Sequence, residues 1–108
     1  MSDRDLVRHI LDEVVFLRTS ASGTTSEAFL QDEVLKRAFA RSLEIVGEAS
    51  KKLTPGFRES HPAVEWRLMA GTRDKLIHDY FGVDYELVWD IVVSELPRLE
   101  TELRSLLE

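Results

Sequence analysis

The spacing of the apolar residues constrains this chain more than any other feature. Near the amino terminus Leu6, Ile10, Val14 and Leu17 recur three or four residues apart, and Leu11 and Val15 widen the stripe. That spacing lines one face of an α-helix. A half-buried strand needs strict alternation, and no alternating run bounded by hairpin signals occurs anywhere. The chain is therefore expected to be all-α.

Local signals divide it. Ser2 or Asp3 can cap the first helix, which is expected to end near Thr19. The small polar run Ser20-Ala21-Ser22-Gly23-Thr24-Thr25 then reads as a loop. Thr25 or Ser26 can cap a short piece anchored by Phe29 and Leu30. Asp32 caps a long helix to about Leu53, whose inner stripe is Leu35, Ala38 or Phe39, Ser42, Ile45 or Val46, Ala49 and Leu53. Gly47 inside it costs about 1 kcal/mol against Ala, which points to close backbone packing there. Thr54-Pro55-Gly56 reads as a stop and His61-Pro62 as a second boundary. Another helix is expected from Pro62 through Trp66, Met69, Ala70 and Leu76 to about Tyr80, with Gly82 as its C-terminal stop. Asp84 caps a last helical region with Val88, Ile91, Val92 and Leu96 inward, and Pro97 must kink or break it. Leu99, Leu103, Leu106 and Leu107 carry the stripe onward. The expected architecture is an up-and-down bundle of four main helices plus a short one, forming a single domain over residues 1–108.

Composition narrows the function classes. The chain has no cysteine, so disulfides and thiolate metal sites are excluded. No apolar run reaches membrane-spanning length, and the charged start Met1-Ser2-Asp3-Arg4-Asp5 is followed by no apolar signal core. A cytoplasmic protein with no membrane association is expected. The net charge of −6 does not favour coating of long nucleic acids. Charge is uneven, however. Between Lys51 and His78 stand Lys51, Lys52, Arg58, Arg67, Arg73 and Lys75 against Glu59, Glu65 and Asp74, a net of +3 that leaves −9 elsewhere.

The chemistry-bearing stretch is Arg73-Asp74-Lys75-Leu76-Ile77-His78-Asp79-Tyr80, followed by Phe81-Gly82-Val83-Asp84. Arginine grips phosphate oxygens with a planar fork. Histidine moves protons near neutral pH. A helix C-terminus favours imidazolium, and Asp74 four residues before His78 adds to that. RNA cleavage needs this pairing: a base takes the 2′-hydroxyl proton, a cation steadies the phosphorane, and an acid protonates the leaving oxygen, with no metal required. Tyr80 can hydrogen-bond a phosphate or stack on a base. On an ideal helix Arg73 and Tyr80 lie about 20° apart, but Arg73 and His78 about 140° apart. Either the helix end is distorted, or long side chains reach round, or a second copy completes the site. From the residues alone the stretch is either a catalytic site or the polar end of a helix. Tyr80 also fits a half-buried core residue with a wet hydroxyl. His9 and His61 have no partners in sequence and read as structural. Metal-ligand spacing is absent.

The chain closely resembles the HEPN superfamily, and within it the HepT-like ribonuclease toxins. The R-x-x-x-x-H-x-Y motif of that family stands here as Arg73 to Tyr80. Gly47-Glu48-Ala49, Pro62 to Trp66, Phe81-Gly82-Val83-Asp84 followed by Trp89, and Leu96-Pro97 also match, so the resemblance runs over nearly the whole chain. It implies a helical homodimer with two motifs facing a shared cleft. It also implies metal-independent endoribonuclease activity without a cofactor, with Arg73 and His78 as the catalytic pair on an RNA substrate. A cognate minimal nucleotidyltransferase antitoxin is implied too, one that neutralises the toxin by transferring AMP to Tyr80. Asp74 and Lys75 lie within the substrate-contacting motif. Many family members have Asn where this chain has Asp74. An acid there can tune His78 upward in pKa or repel RNA phosphate. The alternative reading is a non-catalytic module that binds a nucleotidyltransferase, with the motif recognising a nucleotide or presenting Tyr80 for modification.

Overall fold

The computed structural model describes residues 1–66, 69–71 and 82–108. Among these residues it contains helices and no strand. The helices are α1 (Asp3–Ser22), α2 (Ser26–Gln31), α3 (Glu33–Lys52), α4 (Pro55–Ser60), α5 (Tyr85–Ser94) and α6 (Leu96–Leu107). The all-α expectation is met.

The first helix is the hub. It packs on α3, α5 and α6, so its apolar stripe is buried from several sides. Ile10, Val14 and Leu17 are fully enclosed, and Leu6, Val7 and Ala21 are buried with them. Leu11 and Val15 are only partly covered. The helix runs three residues past the expected end at Thr19. Ala21 lies one turn beyond Leu17 and is drawn into the core, while the Ser22 hydroxyl donates to the Thr19 carbonyl at 2.8 Å. Burial outweighs the loop-like composition of that stretch.

Side-chain caps fix most of the remaining helix starts. Ser2 and Asp5 form a reciprocal capping box at α1. Thr25, Asp32 and Asp84 accept the N–H of Ala28, Leu35 and Leu87 respectively. Two expectations are corrected. Thr54-Pro55-Gly56 ends α3 but also starts α4, because Thr54 caps it by accepting the Phe57 N–H and Pro55 occupies the first turn. The next helical residue is Trp66, not Pro62. Residues 61–65 form a turn in which the Trp66 indole donates to the His61 carbonyl at 3.1 Å. Pro97 breaks the last helical region as expected. It falls in the first turn of α6, where its missing N–H is tolerated.

The inner face of α3 is broader than the expected stripe. Ala40, Leu43 and Ser50 are buried along with Phe39, Ser42, Val46 and Ala49, because α1, α2 and α5 all pack on this helix. Gly47 is also buried. The Ser42 hydroxyl donates to Glu13 at 2.8 Å and that of Ser50 to the Val46 carbonyl at 2.7 Å, so neither buried hydroxyl is left unsatisfied. An aromatic file of Phe16, Phe39, Phe29 and Trp89 joins α1, α3, α2 and α5, with its closest ring centroids 4.8 Å apart.

Polar ties close the bundle at both ends of α1. Asp3 accepts the Thr54 N–H at 2.9 Å and the Thr54 hydroxyl at 2.7 Å. Arg4 donates to the Leu107 carbonyl, placing a cation at the C-terminus of α6. Glu100 on α6 accepts from Arg104 at 2.9 Å and from Arg18 of α1 at 3.0 Å. The hydrogen bond from Arg104, then that from Arg18, hold the Glu100 carboxyl below its ordinary range, against the opposing effect of burial. A carboxylate pKa lowered by folding stabilises the fold above the unfolded value, about pH 4. That contribution is lost as pH falls through the lowered value. We expect Glu100→Gln to be less stable than wild type to urea at about pH 7, with the gap closing towards about pH 3. A gap of constant size across that range would show that the Glu100 charge carries none of this tie.

Candidate functional site

The motif residues Arg73, Asp74, Lys75, His78 and Tyr80 lie outside the described residues, as does Arg67. What the structure does show is how the chain enters and leaves this stretch.

The entry side rests on the core. Phe57 of α4 stacks near His61 at 4.6 Å and near Trp66 at 6.1 Å between ring centroids. Val64 and Trp66 are buried. Met69 donates its N–H to the Glu65 carbonyl at 3.3 Å, the i to i−4 pattern of an α-helix. Its sulfur lies 3.8 Å from the Ser50 hydroxyl, which ties this helix to α3. Met69, Ala70 and Gly71 are helical.

The exit side is as firmly set. Gly82 has φ 119°, a conformation that L side chains rarely adopt. No described atom lies within 4 Å of where a Cβ would sit, so the backbone angle and not crowding calls for glycine there. Val83 packs on the core, and Asp84 then caps α5 through the Leu87 N–H at 3.1 Å. The end of the helix that Gly82 is expected to stop lies outside the described residues.

The expected basic patch is interrupted among the described residues. Lys51 and Lys52 end α3, where cations suit the helix dipole, and Lys52 pairs with Glu48 at 4.0 Å. Arg58 is half-buried beside a shallow concavity that Pro62 and Trp66 also line, but Glu59 and Glu65 share its wall. His9 is exposed on α1, and His61 is occupied by Phe57 and by the Trp66 indole. No group of three His, Asp or Glu able to hold a metal ion occurs among the described residues.

The sequence reading missed one feature of this region. A cavity of about 280 Å³ opens between α3, Glu65, Met69, α5 and α6. Leu43, Val46, Met69, Ile91, Leu96 and Leu99 line its apolar part. Nothing in the residue spacing signals it, because its lining comes from segments far apart in the sequence.

Comparison with known proteins places the chain. A family model described as Ribonuclease HepT-like matches residues 10–106. A protein of Caldanaerobacter subterraneus subsp. tengcongensis, named "Putative RNase TTE0752", is 49% identical over 105 residues, covering 97% of this chain and 94% of its own length. A protein of Thermococcus cleftensis named "Probable ribonuclease HepT" is 38% identical over 105 residues, covering 97% of this chain and 96% of its own. No solved structure matched. The family match over most of the length, the helical bundle and the R-x-x-x-x-H-x-Y sequence agree, and the chain belongs to the HepT-like ribonuclease family of the HEPN superfamily.

Proposed function

We propose that this protein is a metal-independent endoribonuclease toxin of a toxin–antitoxin pair. One observation carries the reading: Arg73 to Tyr80 reproduces the family motif within a chain matched to the HepT-like family over residues 10–106. RNA is the substrate. The 2′-hydroxyl loses its proton to an imidazole and its oxygen attacks the adjacent phosphorus. The 5′ oxygen leaves with a proton, giving a 2′,3′-cyclic phosphate and a 5′-hydroxyl. His78 moves the protons and Arg73 steadies the charge of the phosphorane. Lys75 adds a phosphate contact. Asp74 tunes His78 at the cost of repelling phosphate.

The site is shared between two chains. The angle of about 140° between Arg73 and His78 on an ideal helix supports this arrangement. In a homodimer two imidazoles face one cleft, so one can act as base while the other acts as acid. The partner in neutralisation is a minimal nucleotidyltransferase that moves AMP onto Tyr80. Bulk and negative charge on that phenol then block the approach of RNA.

A second reading keeps two supports. Asp74, where many family members have Asn, and the net charge of −6 suit a module that accepts AMP without cutting RNA. Protein that gains AMP mass with its partner yet never cleaves RNA would establish it.

Expression of His78→Ala should abolish the growth arrest and RNA breakdown that wild type causes, and cleavage in vitro should fall by about 10²–10⁴-fold. Equal effects of the two proteins would remove His78 from the mechanism. Arg73→Ala and His78→Ala are each expected to be inactive alone. Mixed and allowed to exchange subunits, they should recover part of the wild-type rate, since the cleft of each heterodimer then keeps one arginine and one imidazole, supplied by different chains. A mixture as dead as its components, at concentrations where sedimentation shows dimers, would place each Arg–His pair within one chain. Tyr80→Phe should gain no AMP mass from the nucleotidyltransferase; uptake by this variant would move the acceptor elsewhere.

A further inference from the structure

A directional contact joins the start of α5 to α3. The Lys36 ammonium lies over the Tyr85 ring, 4.7 Å from its centroid, inside the span of about 6 Å at which a cation is attracted to an aromatic face. It also donates to Glu33, one turn back on the same helix, at 3.0 Å. Only 14% of the Lys36 side chain is exposed. The cation is therefore largely withdrawn from water, the setting in which attraction by the ring is strongest.

The needs of α3 do not account for this lysine. It is the fourth residue of the helix, and a cation near a helix N-terminus opposes the dipole. The gain lies across the helix boundary. Among the described residues no hydrogen bond or ion pair joins α5 to another helix: the side-chain bonds of Asp84 and Ser94 stay local. Val88, Ile91 and Val92 are buried, but apolar burial is non-directional and leaves rotation of a helix weakly specified. The ring pair of Phe29 and Trp89 acts one turn further along. Lys36 on Tyr85 sets the first turn. That turn adjoins the motif in the chain, since Tyr85 stands three residues after Gly82, five after Tyr80 and seven after His78. Catalysis by placed groups is sensitive to such anchoring, because a shift of about 1 Å can cost about 10²-fold in rate. We propose that Lys36 is a positioning residue for the ribonuclease reaction, its cation clamping the Tyr85 ring and so fixing the α5 end of the motif segment against α3. The proposal rests on the ribonuclease reading and adds to it a residue outside the motif.

The test measures kcat and KM on a defined RNA, at a temperature where urea unfolding shows each variant to be folded. Lys36→Met keeps the stem and removes the cation, while Tyr85→Leu removes the ring. Each should lower kcat about ten- to a hundredfold with KM within about twofold of wild type. Lys36→Arg and Tyr85→Phe keep cation and ring and should stay within about threefold of the wild-type kcat. Combining Lys36→Met with Tyr85→Leu should be no slower than the slower single variant, because both remove one shared contact. Lys36 lies at the margin of the core, so its two variants decide the question even where Tyr85→Leu fails to fold. Unchanged kcat in Lys36→Met, or an equal loss in Lys36→Arg, overturns the proposal and leaves the ribonuclease reading standing. A raised KM at unchanged kcat also overturns it, by making Lys36 a contact to RNA. Wild type that cleaves no faster than His78→Ala removes the ribonuclease reading and the proposal with it.

Discussion

The structure depends on burial of one face of α1. Ile10, Val14 and Leu17 are enclosed because α3, α5 and α6 all close on the same helix. Truncating any of these to alanine removes contacts with more than one helix, and such cavities cost about 2–5 kcal/mol in helical cores. A helix with a single partner can shift along it, whereas a hub with three is held. That fixed hub sets where α3 and α5 lie.

Polar ties convert the hub into a frame. Asp3 grips Thr54, the cap of α4, and so links the start of the chain to the turn preceding Trp66. Arg4 and Arg18 hold α6 at its C-terminus and in its second turn, through Leu107 and Glu100. Met69 meets Ser50 of α3 on one side of the motif, and Gly82 with Asp84 fixes the other side. For chemistry that relies on placing a guanidinium and an imidazole within reach of one phosphate, rigid anchors on both sides of the segment are the useful property.

Much of this was legible because the signals are local. Asp32 and Asp84 cap helices through their own third neighbours, and Pro97 breaks a helix wherever it stands in the interior. The errors arose where one residue type supports two structures. Pro55 is a stop for the helix before it and a favourable first-turn residue for the helix after it, and the Thr54 cap decides for both. Ser20 to Ser22 have loop composition, yet burial of Ala21 keeps them helical. The Trp66 indole on the His61 carbonyl delays a helix that Pro62 could have started. The tie between Arg18 and Glu100, 82 residues apart, leaves no trace in sequence spacing. The site itself was readable as residue types with suitable chemistry and as a motif. The mutual placement of Arg73, His78 and Tyr80 is not encoded by their spacing, and these residues lie outside the described ones.

The proposed chemistry sets Arg73 and His78 on a phosphodiester within a helical frame of the HepT-like family. The most direct test is the chemistry of the cut ends. Purified protein is incubated with a defined RNA in excess chelator, and the fragments are weighed by mass spectrometry. Cleavage that persists in chelator and leaves 2′,3′-cyclic phosphate and 5′-hydroxyl ends is the predicted result. Cleavage that the chelator stops, or that leaves 3′-hydroxyl and 5′-phosphate ends, would contradict an arginine–histidine mechanism.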